Sequence, residues 1–111
     1  MADTADFLII ESRDPFQFGE AGTAYALAEG LAAAGKVTVF LVENGVLAAR
    51  RASAVADRVG RLAASTTVLA DGFSLQERGI RDEELVSGVA PSTMGALVDL
   101  LTVDGCKAMW H

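Results

Sequence analysis

The chain has 111 residues, 51% hydrophobic and 22% charged, with a formal net charge of −6 and a pI of about 4.6. That length predicts one domain over residues 1–111, able to bury roughly 60–70% of its unfolded surface, and the acidity argues against polyanions, so no nucleic acid is expected as a partner. One cysteine, Cys106, and one histidine, His111, exclude an internal disulfide and a Cys-rich metal site, and they leave no conventional zinc site or Ser-His-Asp triad.

Mean hydropathy of +0.35 is high for a chain this short. The surplus, much of it Ala and Val, points to buried parallel strands, a subunit interface, or both, and a homo-oligomer is expected. No apolar run approaches the roughly 20 residues that span a bilayer. The acidic start Met-Ala-Asp-Thr-Ala-Asp is unlike the basic start of a signal peptide. The expectation is a cytoplasmic protein with no membrane partner, no cofactor and no metal.

Asp6 to Ser12 predicts the first strand, since Phe7-Leu8-Ile9-Ile10 is continuously apolar, as in a strand covered on both faces. Arg13 to Gly19 follows as a loop, with Pro15 opposing helix at Asp14. Glu20 to Ala34 predicts a helix whose stripe is Ala24, Leu27, Ala28 and Leu31, stopped by Gly35. Val37 to Val42 is the second strand and Val46 to Ala64 a second helix, with Val55, Val59 and Leu62 on one face. The arginines 50, 51, 58 and 61 then form a solvated face of that one helix.

Thr66 to Ala70 predicts the third strand, ended by the turn signal Asp71-Gly72. One short helical turn follows and stops at Gly79. Arg81 to Glu84 reads as solvated, and Leu85-Val86 as a short fourth strand. Pro91-Ser92-Thr93 starts a last helix with Ser92 as N-cap, and Met94, Leu97, Val98 and Leu101 form its stripe. Cys106 to Trp110 is the fifth strand.

Strands alternating with helices predict a three-layer α/β/α sandwich around a mostly parallel sheet of about five strands. Ligands of such folds bind beyond the carboxyl ends of the strands. Those ends carry Glu11 to Gly19, Glu43 to Gly45 and Asp71 to Arg78. The candidate binding residues are therefore Asp14, Asp71, Ser74 and Arg78. Asp71 and Cys106 are the weak catalytic candidates. Ser74 has no visible base to activate it. Gly19-x-x-Gly22 lacks both the dinucleotide glycine spacing and the lysine of a P-loop, so it reads as helix-start flexibility. A phosphoacceptor site built from Glu11, Asp14, Asp71 and Lys107 is disfavoured, because the first acidic pair is not adjacent and Lys107 lies within its strand.

The order of several soft motifs resembles the DsrE/DsrF-like family. They are Glu11-Ser12-Arg13-Asp14-Pro15-Phe16 with Gly19, then Leu27-Ala28-Glu29-Gly30-Leu31, Val37 to Leu41 followed by Asn44-Gly45-Val46, Arg78-Gly79-Ile80, Gly88-Val89 and Ser92-Thr93-Met94. The resemblance covers nearly the whole chain. It implies a small parallel α/β fold, oligomeric assembly, and kinship with proteins that pass sulfur as a cysteine persulfide in bacterial sulfur oxidation or tRNA thiolation. The relay cysteine of such proteins lies several residues before the Arg-Gly segment. Counting back from Arg78 lands on or near Asp71, and nothing from Asp71 to Gln76 is a cysteine.

The resemblance therefore implies an oligomeric binding or assembly subunit without its own relay thiol, with a protein partner in sulfur trafficking. One alternative is a sulfurtransferase subunit that uses Cys106 or a partner's cysteine. A weaker one is a small enzyme of other chemistry, with Asp71 as acid or base and Arg78 orienting an anion.

Overall fold

A computed structural model describes residues 6–17 and 20–111. Five strands form one all-parallel sheet in the order β4-β3-β2-β1-β5. They are β1 (Phe7–Glu11), β2 (Val37–Leu41), β3 (Thr67–Asp71), β4 (Val89–Ser92) and β5 (Lys107–Trp110). The helices are α1 (Glu20–Leu31), α2 (Ala56–Ser65), α3 (Gly72–Glu77) and α4 (Met94–Leu101), with 3-10 turns at Glu43–Ala49 and Asp82–Glu84.

Alternation along the strands divides the core in two. Ile9, Val37, Val39, Leu41, Val68 and Ala70 face α1, α2, α3 and the 43–49 turn. Leu8, Ile10, Phe40 and Val42 face α4 through Leu97 and Leu100. The central strands are apolar on both faces because both faces are covered, which is why they read as unbroken runs. Helices thus flank both sides of the sheet, as expected.

Several boundaries differ from expectation, each for a physical reason. Residues 46–64 do not form one helix. Arg50 and its neighbours spend their backbone groups on 84–86 instead: Arg50 bridges Leu85, Arg51 N donates to Glu84 O, and Val86 N donates to Ala49 O. The same bonds remove Leu85-Val86 from the sheet, although both are buried, and β4 forms three residues later. There it holds Pro91, tolerated because β4 is an edge strand with one neighbour. Ser92 pairs with Asp71 in the sheet, so Thr93 is the N-cap, its Oγ1 accepting from Ala96 N at 3.1 Å.

The four arginines do not share a helix face. Arg51 Nε donates to Leu85 O, while Arg58 makes two bonds to Glu29 and lies 5.7 Å from the Tyr25 ring centroid. Both stripe assignments also shift. In α1 the buried set is Ala21, Ala24, Tyr25 and Ala28, with Leu27 exposed, because alanines all around the helix leave its phase open. In α4, Met94, Val98 and Leu101 face outward. Gly19 of the predicted Gly19-x-x-Gly22 turn lies outside the described residues, and Gly22 falls within α1.

Candidate functional site

The connections after β1, β2 and β3 leave towards the α1–α2–α3 face, whereas the connection after β4 leaves as α4 towards the other. The carboxyl ends of β3 and β4 are therefore a point where adjacent loops diverge and a crevice opens. A cleft of about 420 Å³ lies there, between Asp71, Gly72 and Phe73 on one side and Ser92, Thr93 and Met94 on the other, with Glu43 at its rim.

Asp71 ends β3 and caps α3. Its Oδ2 accepts from Ser74 N at 3.0 Å and from Ser74 Oγ at 2.7 Å, and both residues are 2% exposed. The Ser74 hydroxyl also accepts from Glu43 N at 2.9 Å. Glu43 is the non-glycine residue with a positive φ among the described residues, at +51°, so this hydroxyl helps hold a turn that L-residues disfavour. Arg78 extends the tether. Its Nε and NH2 donate to Asn44 Oδ1, its NH1 donates to Ser74 O, and Glu43 and Glu77 lie within 4 Å. Gly79, at φ +65°, ends the short helix as the sequence requires.

Asp71, Ser74 and Arg78 thus come together, bonded to one another and to the 43–49 turn. Asp14 does not join them. Its Oδ1 accepts from Phe16 N and Gln17 N, each at 2.8 Å, within its own loop. Cys106 lies further still. It precedes Lys107, which pairs with the first residue of β1, so it sits at the amino end of the sheet. By register it is six residues and three strands from Asp71, roughly 25 Å away at ~3.3 Å per residue and ~4.8 Å per strand. Burial, and then the Asp6 carboxylate, push its thiol above the ordinary range, the opposite of what a reactive thiol needs.

A second polar cluster was not anticipated. Glu11, fully buried at the end of β1, has Oε1 2.7 Å from His111 Nδ1, the ring N–H donating, while its Oε2 accepts from Arg13 N. Ser12 N and Oγ both donate to His111 O, each at 2.9 Å. His111 therefore extends the β1–β5 pairing. The Tyr25 hydroxyl is buried and has no hydrogen-bond partner among the described residues. Burial, then the Glu11 charge, raise its pKa well above that of a free phenol, Arg58 opposing and Asp14 adding. Tyr25 carried one signal in the sequence: it is the chain's single tyrosine, set among alanines. Among the described residues no group of three or more His, Cys, Asp or Glu side chains is placed to hold a metal ion, and no helix is long and apolar enough to cross a membrane.

An all-parallel sheet with helices on both faces and a cleft at the β3–β4 carboxyl ends defines a small three-layer α/β protein. The chain belongs to the DsrE/DsrF-like family, whose model matches residues 5–104. Its fold is shared with a protein of unknown function, MTH1491, from Methanobacterium thermoautotrophicum (21% identity, 95% of this chain and 96% of that one, TM-score 0.78). It is shared equally with the ychN protein from E. coli (20% identity, 93% and 97%, TM-score 0.81). No functionally curated protein matches the chain.

Proposed function

We propose that residues 1–111 form one domain that acts as a binding and assembly subunit of a sulfur-trafficking system, holding no transferable sulfur itself. The observation that carries this reading is the position of the chain's single cysteine. Persulfide relay needs a thiolate at the donor–acceptor contact. At the cleft of this family member stands Asp71, bonded to the buried Ser74 behind it, whose hydroxyl in turn accepts from Glu43 N. Cys106 is at the far end of the sheet with its thiol pushed towards the protonated form.

In this reading the Asp71–Ser74–Arg78 network shapes the cleft and does no covalent chemistry. The partners are further copies of the chain and a protein of sulfur trafficking, in the cytoplasm, where an unpaired thiol stays reduced. The test is mass spectrometry after incubation with a persulfide donor. The chain is expected unmodified, and a transferable adduct on Cys106 would favour the sulfurtransferase alternative.

A further inference from the structure

A second concavity, about 640 Å³ in volume, shares no lining residue with the β3–β4 cleft. It runs along α2, which turns Ala56, Gly60 and Ala64 into its floor at four-residue spacing. Val86 completes that floor from the neighbouring segment. Gly60 keeps the floor at the level of the helix backbone, since a Cβ there would meet nothing nearer than Val86 Cγ1 at 3.8 Å. Small residues give the groove depth and nothing more. Its chemistry comes from its walls.

Arg51, Arg61 and Ser87 stand in those walls, all three exposed. The chain is acidic, at −6, and Arg58, Arg78 and Arg81 each lie against a glutamate. The two groove arginines do not. Neither makes an ion pair among the described residues, and the Arg61 side chain makes no hydrogen bond among them either. Arg51 is nonetheless held in place: its backbone N donates to Glu84 O at 2.8 Å and its Nε to Leu85 O at 2.9 Å. Its two terminal nitrogens have no acceptor among the described residues, and their fixed plane suits an oxyanion. Asp57 is the one carboxylate in the lining, so the groove is cationic where the chain as a whole is anionic.

We propose that this groove binds a small organic anion, a carboxylate or phosphate ester carried on an apolar body. Its volume lies within the roughly 300–1,000 Å³ of small-molecule sites, which likewise combine an apolar lining with a few convergent polar groups. From Ala56 to Ala64 the floor is about 12 Å long at ~1.5 Å per residue. That length holds no more than about four residues of extended chain, which is short for a docked protein segment, and two cations are too few for a polyanion. Arg51 and Arg61 take the oxyanion, Ser87 gives it a further donor, and the floor takes the apolar body. Asp57 opposes the charge, which holds the affinity to about millimolar for a ligand of one ring. Neither Cys106 nor Asp71 takes part, so the site is independent of the sulfur reading.

The test is two-dimensional amide NMR of the full chain, titrated separately with phenyl phosphate, benzoate, inorganic phosphate and benzyl alcohol. Phenyl phosphate and benzoate should shift the Gly60, Arg61 and Ser87 amides saturably and leave those of Asp71 and Ser74 unmoved. Inorganic phosphate and benzyl alcohol each lack half of the ligand and should bind at least about tenfold more weakly. Arg61→Gln removes an exposed side chain with no partner to lose, so the fold should stand while phenyl phosphate weakens by about three- to tenfold. Asp57→Asn should tighten it. The proposal is overturned if no groove amide saturates by about 10 mM phenyl phosphate, if Arg61→Gln binds as tightly as the wild type, or if the shifts centre on the β3–β4 cleft. Inorganic phosphate binding as tightly as phenyl phosphate would mean an adventitious ion only and would overturn it too. None of these outcomes alters the result of persulfide loading, so the two readings fail separately.

Discussion

Ser74→Ala tests whether the cleft network is built as described. The hydroxyl makes two bonds in a 2%-exposed site, donating to Asp71 Oδ2 at 2.7 Å and accepting from Glu43 N at 2.9 Å. A bond to a charged group contributes about 1.5–3 kcal/mol and a neutral one about 0.5–1.5 kcal/mol. The backbone cap from Ser74 N to Asp71 survives the substitution. The net loss is therefore about 2–4 kcal/mol, a large share of the roughly 5–15 kcal/mol that stabilises a folded chain of this size. At about 4 °C per kcal/mol, Tm should fall by roughly 8–16 °C. Urea unfolding at fixed protomer concentration, followed by Trp110 fluorescence and circular dichroism, should show a lower midpoint at unchanged m. A loss below about 0.5 kcal/mol would mean that the hydroxyl does not tether the 43–49 turn, and the account of the site would fail.

Gly45→Ala should destabilise by about 1–3 kcal/mol or more, since a Cβ there would overlap the Glu11 carbonyl oxygen, which already accepts from Val42 N; chemical denaturation measures it. Tyr25 should show no phenolate absorbance in the native protein at a pH where a free tyrosine, with a pKa of about 10, has ionised. Its folded pKa is raised, so its contribution to stability is complete below pH ~10 and is lost as pH climbs above that towards the folded pKa. Alkaline unfolding should therefore accompany the rise in absorbance, and ionisation at pH ~10 without unfolding would contradict the buried placement. Cys106 should alkylate slowly at neutral pH, with a rate midpoint above that of a free thiol; a midpoint below it would mean an activated thiolate.

The sheet was legible because its central strands are buried on both faces: Phe7 to Ile10 and Val37 to Leu41 admit no other reading. The Asp71-Gly72 turn and the Gly79 stop were legible because they rest on local backbone chemistry. What failed depended on partners distant in sequence. Leu85-Val86 is apolar enough for a strand, but nothing local says that its backbone pairs with residues 49–51 and not with β3. With β4 displaced, Ser92 and Thr93 could not be placed beside Asp71, so half of the cleft wall was missed. Glu11 meets His111 across 100 residues, which no local pattern encodes. The α4 stripe is instructive in another way. Met94, Val98 and Leu101 have the spacing of a buried face, yet the single chain buries Leu97 and Leu100 and leaves these three in water. Periodicity alone does not say which of two overlapping stripes the fold buries.

The central claim is that this DsrE/DsrF-like chain carries no sulfur of its own. It is tested most directly by loading the purified protein with a persulfide donor, presenting an acceptor thiol, and mapping peptides by mass. The account predicts an unmodified Cys106 peptide and no sulfur passed to the acceptor. A gain of about 32 Da on Cys106, lost when the acceptor is added and absent from Cys106→Ala, would contradict it.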